Sequence, residues 1–121
     1  MEIISLGDVP DVPQSGGIFL GTVDIKSLVG PEARYRFISR DIQMAIVSFP
    51  KGIRLAFHTH THDQILFILS GKGIIADEKK EVTVTPGMIA FIPAGERHWH
   101  GAAEDSDFSH LYIFRPGKTK G

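Results

Sequence analysis

The chain has 121 residues, 42% of them apolar, enough for one packed core and one domain and too few for two. Its formal net charge of -1 at pH 7 gives no electrostatic ground for a nucleic acid or an anionic membrane as partner. With no cysteine, disulfide scaffolds, thiolate metal sites and cysteine nucleophiles are excluded, so any metal must be held by nitrogen and oxygen.

The opening segment, Met1 to Gly16, lacks both a basic stretch and the continuous apolar run of an export signal, and no later run approaches the length of a membrane span. A soluble cytoplasmic protein is expected. These first 16 residues read as a frayed end. Beyond them, 13 Gly and 7 Pro break the chain into short stretches rich in Ile, Val, Phe and Leu. Strands are predicted over Ile18 to Ile25, Ile42 to Phe49, Ile53 to Phe57, Ile65 to Leu69, Gly73 to Ala76, Val82 to Val84, Met88 to Ile92 and Ser109 to Phe114. A helical turn is expected near Ser27 to Arg34, and no other stretch carries a helical apolar stripe. Pro50-Lys51-Gly52, Ser70 to Gly73, Asp77 to Lys80, Thr85-Pro86-Gly87 and Pro93-Ala94-Gly95 carry the residues that reverse a chain at low cost. The tail from Gly117 to Gly121 reads as a second frayed end. Short strands at regular spacing with turns between them indicate an all-β sandwich or barrel, one domain whose core runs from about residue 18 to 116.

All six histidines fall between positions 58 and 110. Side chains at i and i+2 of a strand share a face, so His58 and His60 can place two imidazoles in one barrel interior. Neutral imidazole suits Mn, Fe, Co, Ni, Cu or Zn, with further ligands coming from elsewhere in the fold. A lone His-x-His is a weak signal, as common on a surface loop as at a metal. His110 sits among Phe108, Leu111 and Ile113, where it is either a core histidine satisfied by backbone or an acid–base group beside a bound oxygen. A turn expected before Gln64 puts His62 in solvent, and His100 reads as a pocket or rim residue. Apolar walls are expected from Met44, Ile46, Phe57, Phe67, Phe91 and Trp99, subject to a strand register that one slipped residue would reverse. Arg54 could hold a carboxylate if it points inward.

Spacing adds a second kind of signal. Gly52, five residues, His58, one residue, His60, three residues, Gln64, six residues, Gly71 resembles the first motif of the cupins, with Gln in place of the usual Glu. Gly87, five residues, Pro93-Ala94-Gly95, two residues, His98 resembles the second, departing only at Ala102, where Asn is frequent. The resemblance covers roughly residues 42 to 116 and implies a double-stranded β-helix, or jelly-roll, barrel. It further implies one divalent transition metal per chain, on His58, His60, Gln64 and His98. His98-Trp99-His100-Gly101-Ala102, with Ser109-His110-Leu111, is similar to a narrower group that includes the cupins associated with carboxymuconolactone decarboxylases and the manganese-dependent hydroxynitrile lyases. That likeness favours Mn over Fe, Ni, Co or Zn and makes His110 the candidate catalytic residue.

Replacing Glu by Gln leaves the full +2 charge on the ion, which suits Lewis-acid work without redox change and weakens metal retention. The expected function is a metal-dependent lyase or isomerase acting on a small oxygenated molecule. A dioxygenase and a non-enzymatic small-molecule-binding barrel are the alternatives. A homodimer is expected, with the apolar Ile18 to Ile25 segment adding to a partner's sheet edge.

Overall fold

The computed structural model describes residues 1–121. After a 3-10 turn at Leu6–Asp8 the chain forms β1 (Val12–Gly16), β2 (Phe19–Gly30), β3 (Phe37–Ile38), β4 (Gln43–Phe49), β5 (Arg54–Leu55), β6 (Thr59–His60) and β7 (Gln64–Gly71). It continues through β8 (Gly73–Asp77), β9 (Glu81–Val84), β10 (Ile89–Ile92), β11 (His98–Ala102), β12 (Phe108–Phe114) and β13 (Thr119–Lys120). Eleven strands make one sheet in the order β10-β7-β12-β4-β2-β5-β11-β8-β9, with β1 and β3 both added to β2. All its pairings are antiparallel except β2 with β3. The sheet curls on itself as a jelly-roll barrel, the all-β fold expected.

Period-2 alternation decides what the barrel contains. Gln64, Leu66 and Ile68 of β7 are buried while Ile65, Phe67 and Leu69 are exposed, and Ala45, Val47 and Phe49 form the inward set of β4. In β12, His110 pairs with Val47 on one side and Ile68 on the other, which commits its imidazole to the interior. The core gathers Val23, Val47, Phe49, Leu55, Leu66, Ile68, Val84, Ile92 and Phe108 around the inner end of the barrel. Each such side chain contributes about 1.5–3 kcal/mol by leaving water.

Several expectations are corrected. Met44, Ile46, Phe67 and Phe91 belong to the outward parity, Phe91 being 61% exposed, so they do not wall the interior. Trp99 packs on the outside under Arg54, whose guanidinium lies 3.8 Å over the indole ring and so does not enter the barrel. Ser27 to Gly30 continue β2 instead of turning helically, because Val29 pairs with Met44 past a bulge and Ser27 accepts a hydrogen bond from the Arg36 amide. Both ends are tied down: β1 pairs with β2, and β13 pairs with β6. β2 is flanked by β1 on one side and by β4 and β5 on the other, so the segment from Phe19 to Ile25 is itself paired along both edges.

Candidate metal centre

Two histidines are set side by side by the backbone itself. The His58 amide donates to the His98 carbonyl (2.9 Å) and the His98 amide to the His58 carbonyl (3.0 Å), an antiparallel bridge that leaves the rings 4.3 Å apart, centroid to centroid. His60, two residues on in β6, adds a third ring 4.8 Å from His58. Gln64 follows at the start of β7, 3% exposed. One ring nitrogen each of His58, His60 and His98 lies within 4.8 Å of the other two.

Hydrogen bonding on the opposite edge fixes that nitrogen as Nε2 for His58 and His98 and allows it for His60. His58 Nδ1 lies 2.8 Å from the Ala56 carbonyl and His98 Nδ1 lies 2.9 Å from the Glu96 carbonyl, so both must donate there. His60 Nδ1 lies 2.8 Å from Thr119 Oγ1 in β13. With Nδ1 protonated, Nε2 is a bare lone pair. The Nε2 atoms of His58, His60 and His98, together with Gln64 Oε1, are all buried without a hydrogen-bond partner. Buried acceptors in that state are costly. A divalent cation in their midst would satisfy all four, so this neutral nitrogen and oxygen set fits a first-row ion.

Electrostatics favours the neutral rings. Burial pushes His58 from an ordinary 6.5 down to about 4, aided by the charges of His98 and Arg97 and opposed by the Ala56 hydrogen bond. His60 falls to about 3, through burial and then the neighbouring His58, His98 and His62, with the Gln64 amide opposing. His98 is lowered by burial as well. All three are therefore available as ligands at neutral pH.

His100 and His110 form a second unit on the same cavity. Both are buried, and His110 Nε2 lies 3.1 Å from His100 Nδ1. One shared proton makes this bond, so the pair always presents one N–H and one lone pair at the two remaining atoms, His100 Nε2 and His110 Nδ1, neither of which has a partner. Burial lowers both, His110 to about 3. His100 is thus an interior residue and not a rim one. His62, expected in solvent, is 3% exposed: its ring stacks on His60 at 5.0 Å and packs against Phe114 at 4.1 Å, and Gly117 closes over it.

The cavity lined by His58, His60, Gln64, His100 and His110 has a volume of about 380 Å³, with Phe49, Leu55 and Phe114 among its apolar walls and Arg34, Gln43 and Thr119 among its polar ones. Sequence reading missed Thr119, because a threonine in a Gly- and Lys-rich tail carries no periodicity. It also missed Arg34, which reaches the cavity from the loop after β2, and Gln43, which begins β4 in the same inward parity as Ala45 and Val47.

A family model described as a cupin domain matches residues 45–114. The chain is 34% identical over 115 residues to the (R)-mandelonitrile lyase of Granulicella tundricola, spanning 93% of this chain and 83% of that one. It is 27% identical over 99 residues to the acireductone dioxygenase of a Sulfurihydrogenibium species, covering 74% of this chain and 55% of the dioxygenase. Among solved structures, a cupin-like protein from Thermotoga maritima superposes with a TM-score of 0.77 at 30% identity, over 98% of this chain and 87% of that chain.

Proposed function

The chain belongs to the cupin family, and from that premise we propose that it is a metal-dependent lyase or isomerase acting on a small oxygenated molecule, with one divalent ion held by His58, His60, His98 and Gln64. The observation that carries this reading is the set of four buried acceptor atoms without partners, three of them imidazole lone pairs whose rings are tied back through Nδ1. Mn(II) is the ion of first choice, with Fe, Co, Ni and Zn as alternatives that the same donor set admits. When bound, the ion supplies Lewis-acid polarisation of a carbonyl or hydroxyl oxygen.

The rest of the work falls to side chains. His110 is the proton carrier. Its Nδ1 is free, and its Nε2 is coupled to His100, so a proton taken at one end of the pair is matched by one held at the other. Both rings are neutral at working pH, which lets the pair give or take. The apolar walls exclude water from the reacting oxygen and strengthen each of these interactions. A dioxygenase is the second reading, favoured by the likeness to acireductone dioxygenases.

The test begins with elemental analysis after Mn(II) loading and desalting. Wild type and His110→Ala should hold one ion per chain, His58→Ala and His98→Ala none, and Gln64→Glu should retain the ion more tightly by restoring a negative ligand. The loaded protein is then screened with hydroxy- and oxo-compounds with and without dioxygen. Turnover without dioxygen supports the lyase or isomerase, and turnover coupled to oxygen uptake replaces it with the dioxygenase. A wild type that holds no first-row ion defeats both.

A further inference from the structure

The cavity holds many polar groups and not one carboxylate. Its lining includes four histidines and three glutamines, while its only permanently charged side chain is Arg34. With Gln64 where a Glu would have supplied a negative charge, nothing in the lining offsets either the guanidinium or a divalent ion. Arg34 is 54% exposed, so its charge is hydrated at the cavity mouth, whereas a divalent ion on the buried neutral donors would be uncompensated unless an anion accompanied it.

Arg34 is built into position. Tyr35, 4% exposed, packs its ring against Gly30 at the end of β2, and its amide donates to the Glu32 carbonyl at 3.1 Å. Arg34 Nη2 donates to Tyr35 Oη at 2.9 Å, and its Nε lies 3.5 Å from Glu32. Glu32 is 64% exposed, so that pair is weak in water. Nη1 and the second hydrogen of Nη2 stay free, which is the end-on fork that takes a carboxylate through two parallel bonds. Gln43, whose amide nitrogen lies 3.4 Å from Tyr112 Oη, lines the same part of the cavity.

We propose that the substrate is a small carboxylate-bearing molecule whose acid group is held by Arg34 while an oxygen at its other end reaches the histidine cluster. The assignment rests on the metal-site reading above. Gln43 lies four residues along β4 from Val47, the partner of His110, a span of about 13 Å along the strand. Allowing for the reach of side chains from both ends, the two functions of the substrate are separated by a body about the size of one aromatic ring. Phe49, Leu55 and Phe114 provide apolar walls for such a body.

The probe pair is 4-(hydroxymethyl)benzoate and its primary amide, which differ by one charge and whose two oxygen functions are too far apart to chelate one ion. Both are titrated calorimetrically into Mn(II)-loaded and metal-free wild type, Arg34→Gln and Arg34→Lys, with metal content measured on the same samples. The acid should bind wild type at least tenfold more tightly than the amide. Arg34→Gln should erase that preference at unchanged metal content, and Arg34→Lys should keep part of it. Equal binding of acid and amide by wild type overturns the proposal. So does a preference that survives Arg34→Gln, because the carboxylate then goes to the ion. Absence of metal in wild type defeats the metal reading alone, and the acid preference of the metal-free chain, present or absent, still decides the role of Arg34.

Discussion

Thr119 supplies the hydrogen bond at Nδ1 of the third histidine of the cluster. His58 and His98 are steered by backbone carbonyls, which no substitution removes, but His60 Nδ1 is held by the Thr119 hydroxyl, delivered by the pairing of β13 with β6. Replacing Thr119 by Val keeps the shape and removes the hydrogen bond, so Mn(II) affinity should fall by about 10–100-fold in competition with a chromophoric chelator, while Thr119→Ser stays near wild type. Acid should act on the same group of residues. The metal-free fold binds His58 and His60 in forms whose pKa values, about 4 and about 3, lie below the unfolded 6.5. Between these limits the unfolded chain takes up more protons, so stability is full above pH 6.5 and is lost as pH falls toward 4. Urea midpoints of the metal-free protein should drop from pH 7.5 to pH 5, and a flat profile would contradict the buried neutral cluster. The convergence of His58, His60 and His98 was legible in the sequence because alternation and glycine spacing both report on it. The burial of His62 was not, since it depends on Phe114 and Gly117, more than 50 residues away.

At the level of elements, the turns between strands are where sequence spoke most clearly, and they differ in what they demand. Gly71, between β7 and β8, has φ 73° and sits so close to the Asp107 carbonyl that a Cβ would collide with it. Gly87, before β10, has φ 90° with open space around it. Gly87→Ala should therefore cost only the left-handed strain, about 1–2 kcal/mol, and Gly71→Ala distinctly more, because backbone must move as well. Chemical denaturation of the two variants should give that order, and equal losses would mean the β7–β8 turn yields freely. The eight predicted strands are all present in some form, bounded by such turns. β1 left no trace in the pattern because all five of its residues are exposed, and β13 because it is two residues long. Inside and outside were not legible for β4: Met44, Ala45, Ile46 and Val47 run apolar on both faces, so alternation cannot choose between them.

That double-sided apolarity points to a property of the whole molecule. In the registers of β10, β7, β12 and β4, Ile89 and Phe91 stand beside Phe67 and Ile65, these beside Leu111 and Ile113, and these beside Ile46 and Met44. The outer face bears no charge across four strands until Lys26 of β2, which pairs with Ile46. Scattered exposed apolar side chains are ordinary, but a contiguous patch of this extent marks a surface that is covered in use. Ile65, Phe67, Ile89 and Phe91 are all exposed, and Ile89 and Phe91 keep more than half of their surface in water. An uncharged apolar sheet face is complementary to itself, and we propose a second copy related by a two-fold axis as its partner. Because β2 is paired along both edges, we propose that a homodimer would form through this face and not by addition of a strand to β2. Light scattering after size exclusion should give twice 13.3 kDa for wild type. Phe67→Lys combined with Phe91→Lys should give monomer with unchanged metal content, since the cluster lies on the opposite side of the same strands. A wild type that runs as monomer at micromolar concentration would leave this face to some other partner.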